Sequence, residues 1–215
     1  MLPFIFNKYL QDAFKVPFVI QITDDEKYFF KEGGDIAEFT KLAYENIRDI
    51  LAVGLDPELT FVFIDTEYMG HMYKNVVRFQ KHINMTTLKA IFGLGFSDNC
   101  GRASYPAVQA APCLSSSFPH IFGEKNIPCI IPCGIDQDPY FRMTRDVCAK
   151  LGAPKPAGFY SKYIYRSCRF FPSLQGFQTK MSASVPTTGI FMTDTPKEIE
   201  TKVKKHAFSG GGATK

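Results

Sequence analysis

The sequence predicts an α/β fold in which short parallel strands alternate with longer helices. Three apolar segments, 16–22, 59–64 and 127–132, are short and rich in β-branched residues, as buried strands are. Longer segments with apolar residues at helical spacing lie between them. This alternation is typical of a doubly wound, Rossmann-like parallel sheet, in which ligands bind at the carboxyl ends of the strands.

The predicted helices begin at recognisable caps. Pro3 suits a first helical turn, and Asp35 with Glu38 and Thr195 with Glu198 have capping-box spacing. The predicted helices are residues 3–14, 35–51, 67–82, 86–92, 105–114, 138–151 and 195–206. The polar residues 23–26 are expected to end the first strand. The segment between the helix that ends at residue 151 and Arg169 has no clear helix or strand pattern.

Length and composition indicate one globular domain. The chain has 215 residues, of which 45% are hydrophobic and 21% charged. Its net charge of +4 suits an anionic partner but is also common on ordinary soluble surfaces. The apolar runs are far shorter than the roughly 20 residues of a membrane helix, and the first residues do not resemble a secretory signal. We therefore expect a cytoplasmic protein.

The cysteines and histidines do not form a recognisable site. The cysteines are irregularly spaced in a chain too large to need disulfides, so we expect reduced thiols. They are Cys100, Cys113, Cys129, Cys133, Cys148 and Cys168. Only Cys129 and Cys133 are close, and the apolar residues between them indicate a strand rather than a pair of zinc ligands. The histidines are scattered, so we predict neither a metal site nor a catalytic triad.

The most specific motif is the segment Lys180-Met181-Ser182-Ala183-Ser184. A lysine can place its charge on a polyphosphate, and serine hydroxyls and backbone N–H groups can donate to phosphate oxygens. By itself the segment is equally compatible with a solvated serine-rich turn.

A second candidate segment follows the third predicted strand. Gly134 lets the backbone approach a ligand, and the carboxylate of Asp136 can accept hydrogen bonds from ribose hydroxyls. Gln137 lies beside them. The simpler interpretation is that Asp136 or Asp138 caps the next helix.

A third candidate segment, residues 21–27, lies at the end of the first strand. Glu26 can pair with an ammonium group, and Gln21 can hydrogen-bond to a polar edge of a ligand. The alternative is ordinary helix capping by Asp24 and Asp25.

Together these segments resemble the class I aminoacyl-tRNA synthetases, and among them the tryptophan enzymes of the eukaryotic and archaeal type. Residues 180–184 match the KMSAS form of the KMSKS signature, and residues 134–137 match the nucleotide-binding GxDQ segment. Longer runs with the same resemblance are residues 23–28, 118–122 and 131–147. The resemblance extends over residues 2–211.

The resemblance implies ATP-dependent activation of tryptophan to tryptophanyl-adenylate, followed by transfer to tRNA(Trp). It implies Mg²⁺ with ATP as the substrate complex, no tightly bound cofactor, and a homodimer. Lys180 is the implied catalytic residue. The implied ATP-binding residues are Gly134, Asp136, Gln137, Lys180, Met181, Ser182 and Ser184. The implied tryptophan-binding residues are Gln21 by the indole, Glu26, Gln109 and Gln137 near the ammonium, and Lys27 near the carboxylate.

The sequence departs from the family pattern at three places. The family's histidine motif would end just before Met1, and its anticodon-binding domain would follow Gly211. The segment 158–169 is longer than the family's connection. We therefore expect a catalytic domain truncated at both ends (residues 1–206) with a linker (207–215), weak or inactive alone. The alternatives are a non-catalytic binding module and the related tyrosine enzyme, which Gln21 and Glu26 disfavour.

Overall fold

The structure is a computed structural model that describes residues 2–134, 137–159, 172–182 and 185–208. The chain divides into two compact units, Met1–Tyr160 and Ser161–Lys215. Within the described residues, no helix is long and apolar enough to cross a membrane.

The first unit alternates helices and parallel strands. Its helices are α1 Leu2–Phe14, α2 Asp24–Phe30, α3 Ile36–Leu51, α4 Asp65–His82, α5 Met85–Phe92, α6 Cys100–Ala110, α7 Pro119–Phe122 and α8 Asp138–Lys150. Its strands are β1 Phe18–Ile22, β2 Thr60–Ile64, β3 Ile130–Pro132 and β4 Ala157–Phe159. β1 pairs in parallel with β2, and β3 pairs in parallel with β4. The predicted α/β class with parallel strands is confirmed.

The pairing of β1 with β2 sets the position of the polar residues that follow them. Gln21 lies opposite Phe63, and Ile22 lies opposite Ile64, so both strands end at the same level. α2 and α4 begin immediately after these ends. The starts of two helices and the carboxyl ends of two strands therefore meet at one edge.

α4 lies at the centre of the main hydrophobic core. Met72, Val76 and Phe79 occupy one of its faces at intervals of about one helical turn and are essentially inaccessible to solvent. They belong to a cluster that includes Phe63 of β2 and the fully buried Phe118. This packing holds the start of α4 rigidly beside the strand ends.

α2 and α6 approach each other closely because Gly101 has no side chain. A Cβ atom at this position would lie 2.2 Å from the ring of Phe29. Arg102 strengthens the contact, since its Nε donates to the carbonyl oxygen of Phe29 at 3.1 Å. The glycine thus lets α6 lie against the segment that follows β1.

The second unit contains β5 Pro172–Ser173, β6 Gly176–Lys180 and α9 Pro196–His206. β5 and β6 are antiparallel and are joined by a tight turn. α9 has the predicted capping box, in which the Glu198 carboxylate accepts from the Thr195 backbone N–H at 2.8 Å. Lys180 is the last residue of β6.

Most predicted helices and strands are confirmed, but β4, β5 and β6 were not predicted, and several other elements differ. The acidic run at 24–26, for which the end of a strand or helix capping was expected, forms the first turn of α2, where the helix dipole favours negative charge. α6 begins at Cys100 rather than Tyr105, because Asn99 caps it by accepting from the N–H of Arg102 at 2.9 Å. β3 is shorter than predicted, and the short helix α7 was not predicted.

Candidate active site

A hydrogen bond joins the carboxyl ends of β1 and β2. The Gln21 amide nitrogen donates to Asp65, at 2.8 Å from Oδ1 and 3.0 Å from Oδ2. Asp65 is the first residue of α4 and is completely buried. Gln21, predicted to contact a ligand, is therefore attached to a buried carboxyl group that the sequence analysis did not select.

Asp25 adds a second carboxyl group to this cluster. The side chains of Asp25 and Asp65 lie within hydrogen-bonding reach of each other, and both are buried. Burial raises the pKa of Asp65 to about 9, and the negative charge of Asp25 adds to this shift. Burial also raises the pKa of Asp25. At neutral pH the pair of carboxyl groups therefore shares a proton.

Asp24 has a structural task. Its Oδ2 accepts from the hydroxyls of Thr66 at 2.6 Å and Thr40 at 2.8 Å, and its Oδ1 accepts from the backbone N–H of Thr66 at 3.3 Å. Asp24 thus caps the first turn of α4 from outside and also ties α2 to α3. The alternative that Asp24 caps its own helix is not confirmed, because Thr23 lies at the N-cap of α2 and Asp24 bonds to the first turn of α4.

Glu26 and Lys27 pair with each other at the start of α2. The Lys27 Nζ lies 2.8 Å from the Glu26 Oε2, and the Thr23 hydroxyl donates to the same oxygen at 3.1 Å. The side chain of Glu26 is 30% exposed and that of Lys27 is 54% exposed. Both charges are thus accessible to a ligand that carries an ammonium and a carboxylate.

α6 contributes Tyr105 to the same region. Its hydroxyl lies within hydrogen-bonding reach of Thr23, and burial together with the charge of Glu26 raises the pKa of this phenol. Gln109 follows one helical turn later and is half-buried. The structure therefore places Gln109 on the helix that lines the Gln21–Lys27 segment.

The GxDQ segment lies between β3 and α8. Gly134 is exposed, and its carbonyl oxygen accepts from the backbone N–H of Gln137 at 3.1 Å. Gln137 is half-buried at the N-cap position of α8. Asp136 lies outside the described residues.

The KMSAS motif belongs to the second unit. Met181 is exposed, and the backbone N–H of Ser182 donates to the hydroxyl of Thr188 at 3.0 Å. That hydroxyl is also 2.9 Å from the Ser182 carbonyl oxygen, so Thr188 fixes the segment that follows Lys180. Ser184 lies outside the described residues, as do Cys168 and most of the 158–169 segment.

The cysteines that the structure describes form no disulfide with one another. Cys113 and Cys148 are buried with their sulfur atoms 3.6 Å apart. Over the described part of the chain, the His, Cys, Asp and Glu side chains form no group of three that could hold a metal ion.

Asp65 and Tyr105 are the members of the cluster that the sequence analysis missed. Asp65 directly follows a predicted buried strand, which is the same signal that selected Gln21. This signal was sufficient to find it. Tyr105 had no local signal, because its position depends on the packing of α6 against α2.

Known proteins match this chain over its whole length. The family model for class I tRNA synthetases (W and Y) matches residues 35–211. The cytoplasmic tryptophan–tRNA ligases of Schizosaccharomyces pombe and Homo sapiens are each 55% identical over 100% of this chain, which covers 53% and 45% of those proteins. The chain spans about half the length of these curated relatives.

A solved structure gives the same result. The tryptophanyl-tRNA synthetase of Encephalitozoon cuniculi bound to tryptophan is 40% identical, with a TM-score of 0.84 over 98% of this chain and 56% of that one. The predicted resemblance to tryptophan enzymes of the eukaryotic and archaeal type is confirmed. The chain belongs to the class I tRNA synthetases (W and Y).

Proposed function

We propose that this chain forms the nucleotide-binding catalytic core of a tryptophan–tRNA ligase. The observation that carries the proposal is the position of the Gln21–Lys27 segment at the paired carboxyl ends of β1 and β2. Ligands of parallel α/β sheets bind at such edges. The segment there combines an amide, a carboxylate and an ammonium, which are the groups that an amino acid with a polar ring edge requires.

The proposed reaction begins with tryptophan and ATP. A carboxylate oxygen of tryptophan attacks the α-phosphorus, the bond from this phosphorus to the bridging oxygen breaks, and pyrophosphate leaves. In our proposal Gln21 lies by the indole, and Glu26, Gln109 and Gln137 lie near the ammonium. Lys27 lies near the attacking carboxylate, and it is already balanced by Glu26 at 2.8 Å.

The nucleotide is assigned to two further segments. Asp136 holds the ribose hydroxyls between Gly134 and Gln137. Lys180 stabilises charge on the departing pyrophosphate, and Mg²⁺ accompanies the phosphates as part of the substrate. The remaining proposed ATP-binding residues are Met181, Ser182 and Ser184. Catalysis then consists mainly of positioning and charge stabilisation.

The second half-reaction and the partners follow from the relatives. The activated tryptophan is transferred to tRNA(Trp), and the protein acts in the cytoplasm as a homodimer. Residues 1–206 are assigned to the catalytic domain and residues 207–215 to a linker. The names of the curated relatives, cytoplasmic tryptophan–tRNA ligases, support the tRNA substrate and the cytoplasmic location.

Ligand-dependent thermal protection tests the proposal. A ligand that binds only the folded chain raises its unfolding temperature, and the rise increases with the logarithm of the ligand concentration relative to its Kd. Tryptophan should protect the chain, tyrosine should not, and ATP should add to the effect of tryptophan. Equal protection by tyrosine, or none by tryptophan, would contradict the assignment. Tryptophan-dependent exchange of pyrophosphate into ATP then measures the chemical step.

A further inference from the structure

The hydrogen bond between Gln21 and Asp65 fixes the orientation of an amide group. Both oxygens of Asp65 face the amide nitrogen of Gln21, at 2.8 and 3.0 Å. The carbonyl oxygen of that amide must then point to the opposite side. Among the described residues, no hydrogen bond reaches this carbonyl oxygen. It is an oriented acceptor at the end of β1.

The proton between Asp25 and Asp65 keeps the reverse orientation unfavourable. An amide rotated by half a turn would place its carbonyl oxygen against the oxygens of Asp65, which is tolerable only if the Asp65 proton points towards it. We assign that proton to the contact of Asp65 with the neighbouring carboxyl group of Asp25, which raises the pKa of Asp65. Asp65 therefore presents acceptor oxygens to Gln21.

Burial makes this arrangement rigid. Asp65 is completely buried, Asp25 is 7% exposed, and Asp24 holds the start of α4 through both polar groups of Thr66. A buried carboxyl group is costly unless its partners are in place. The hydrogen bonds from Gln21 supply such a partner, and the neighbouring Asp25 adds a second carboxyl group, so Asp65 has little freedom to rotate.

We propose that Asp65 is a positioning residue that makes Gln21 selective for a ring N–H donor. The carbonyl oxygen held by this contact accepts from the indole N–H of tryptophan and has no favourable partner on a ring that lacks a donor there. This inference rests on the proposed function, because it deepens the assignment of Gln21 to the indole. Asp65 itself does not touch the substrate.

A tryptophan analogue without the N–H group tests the inference. In benzothienylalanine a sulfur atom replaces the indole N–H while the ring keeps nearly the same shape. Calorimetry on the unsubstituted chain should show about tenfold tighter binding of tryptophan than of benzothienylalanine, the scale of one hydrogen bond. Asp65→Ala should reduce that ratio to about one, mainly by weakening tryptophan.

Asp65→Asn is the conservative variant. Its amide oxygen can accept from Gln21 and its amide nitrogen can donate to Asp25, as the protonated acid does. It should therefore retain the preference for tryptophan. Thr66→Val is the control for loosening of the same helix start, since it removes a hydroxyl from Asp24 without touching Gln21. It should lower the unfolding temperature and leave the ratio unchanged.

The possible failures are distinguishable. If the unsubstituted chain binds neither amino acid, the proposed function fails and this inference fails with it. If it prefers tryptophan and Asp65→Ala keeps that preference, only the positioning role is overturned. An equal loss of preference in Thr66→Val would also overturn it, because the effect would then reflect general loosening of α4.

Discussion

The hydroxyl of Tyr140 donates a hydrogen bond to the backbone carbonyl of Pro106 at 2.7 Å in a fully buried contact. This bond joins α8 to α6, so the helix that begins after Gln137 is fixed against the helix that carries Gln109. Burial raises the pKa of Tyr140 well above its usual value, which keeps the hydroxyl protonated and able to donate. One bond thus connects two segments assigned to substrate.

Removing this hydroxyl should cost stability. Tyr140→Phe keeps the ring and deletes one buried hydrogen bond, so the free energy of unfolding should fall by about 1 kcal/mol. Urea denaturation measures the change. Tyr73→Phe is the matched control, because Tyr73 is 55% exposed and its change should be within about 0.5 kcal/mol. Equal effects from the two substitutions would show that the bond to Pro106 does not stabilise the fold.

The raised pKa of Asp65 predicts a pH-dependent stability. The folded chain keeps the Asp65 proton up to a pH of about 9, whereas the unfolded chain releases it near a pH of about 4. The folded state thus binds one more proton between these values. This contribution makes stability fall as pH rises, by up to about 1.4 kcal/mol per pH unit, and level off above the folded pKa.

Asp65→Asn removes this titration. The variant should be more stable than the unsubstituted chain at pH values near 8, and its advantage should shrink as the pH is lowered. Urea denaturation of both proteins at several pH values measures the difference. The titratable groups facing Asp65, which are Asp24, Asp25 and Tyr105, are unchanged in the variant, so their contributions largely cancel. Parallel stability curves would show that Asp65 does not hold a proton in the folded state.

The exposure of the thiols predicts an order of alkylation. Cys100 is exposed, whereas Cys113 and Cys148 are buried and contact each other. The hydrogen bond with Cys148 and burial raise the pKa of Cys113, so this thiol is neither accessible nor ionised. Iodoacetamide should modify Cys100 in the folded chain and Cys113 only after unfolding. Mass spectrometry of the peptides would detect the opposite order.

The elements that the sequence predicted well are those with complete local signals. α9 has a capping threonine, a first-turn proline and a glutamate at the third position, and it begins at the predicted place. α6 was placed too far along the chain because Gly101 interrupts its apolar pattern. The reason for that glycine is the ring of Phe29, which is distant in sequence. No local pattern contains this information.

In the candidate site, too, local sequence signals identify some features, whereas others depend on contacts between residues distant in sequence. Gln21 and Glu26 were found because they lie at or just after the end of an apolar strand, and Asp65 could have been found by that rule. The protonation of Asp65 could not, since it depends on the burial of two carboxyl groups that are brought together only by the pairing of β1 with β2. The sequence therefore predicts which groups are available, and the packing determines their charge.

The Glu26 carboxylate should contribute to tryptophan binding by pairing with the ammonium group of the amino acid. Glu26→Ala removes a charge-assisted hydrogen bond, so tryptophan binding should weaken by about 1.5–3 kcal/mol. Calorimetry measures the affinity, and thermal unfolding checks that the fold is intact. Glu32→Ala removes a nearby exposed carboxylate and should leave the affinity unchanged. Tryptophan binding that is equal in Glu26→Ala and Glu32→Ala would exclude this role.

Lys180 should act mainly in the transition state of tryptophan activation. Its proposed task is to stabilise negative charge that develops on pyrophosphate as the bond to the α-phosphorus breaks, so its interaction is stronger in the transition state than with bound ATP. Lys180→Ala should lower the single-turnover rate of activation by about 10²–10³, the scale for losing one preorganised donor. ATP affinity should change much less.

Two further variants test whether the effect of Lys180→Ala comes from losing a positive charge at this particular position. Lys180→Arg keeps the positive charge on a planar, larger group, so it should recover only part of the rate. Lys205→Ala removes an exposed lysine from α9 of the same unit and should leave the rate unchanged. The measurement is rapid-quench detection of tryptophanyl-adenylate with saturating tryptophan. If Lys180→Ala weakened ATP binding and left the single-turnover rate intact, the lysine would bind substrate without stabilising the transition state, and the catalytic assignment would be wrong.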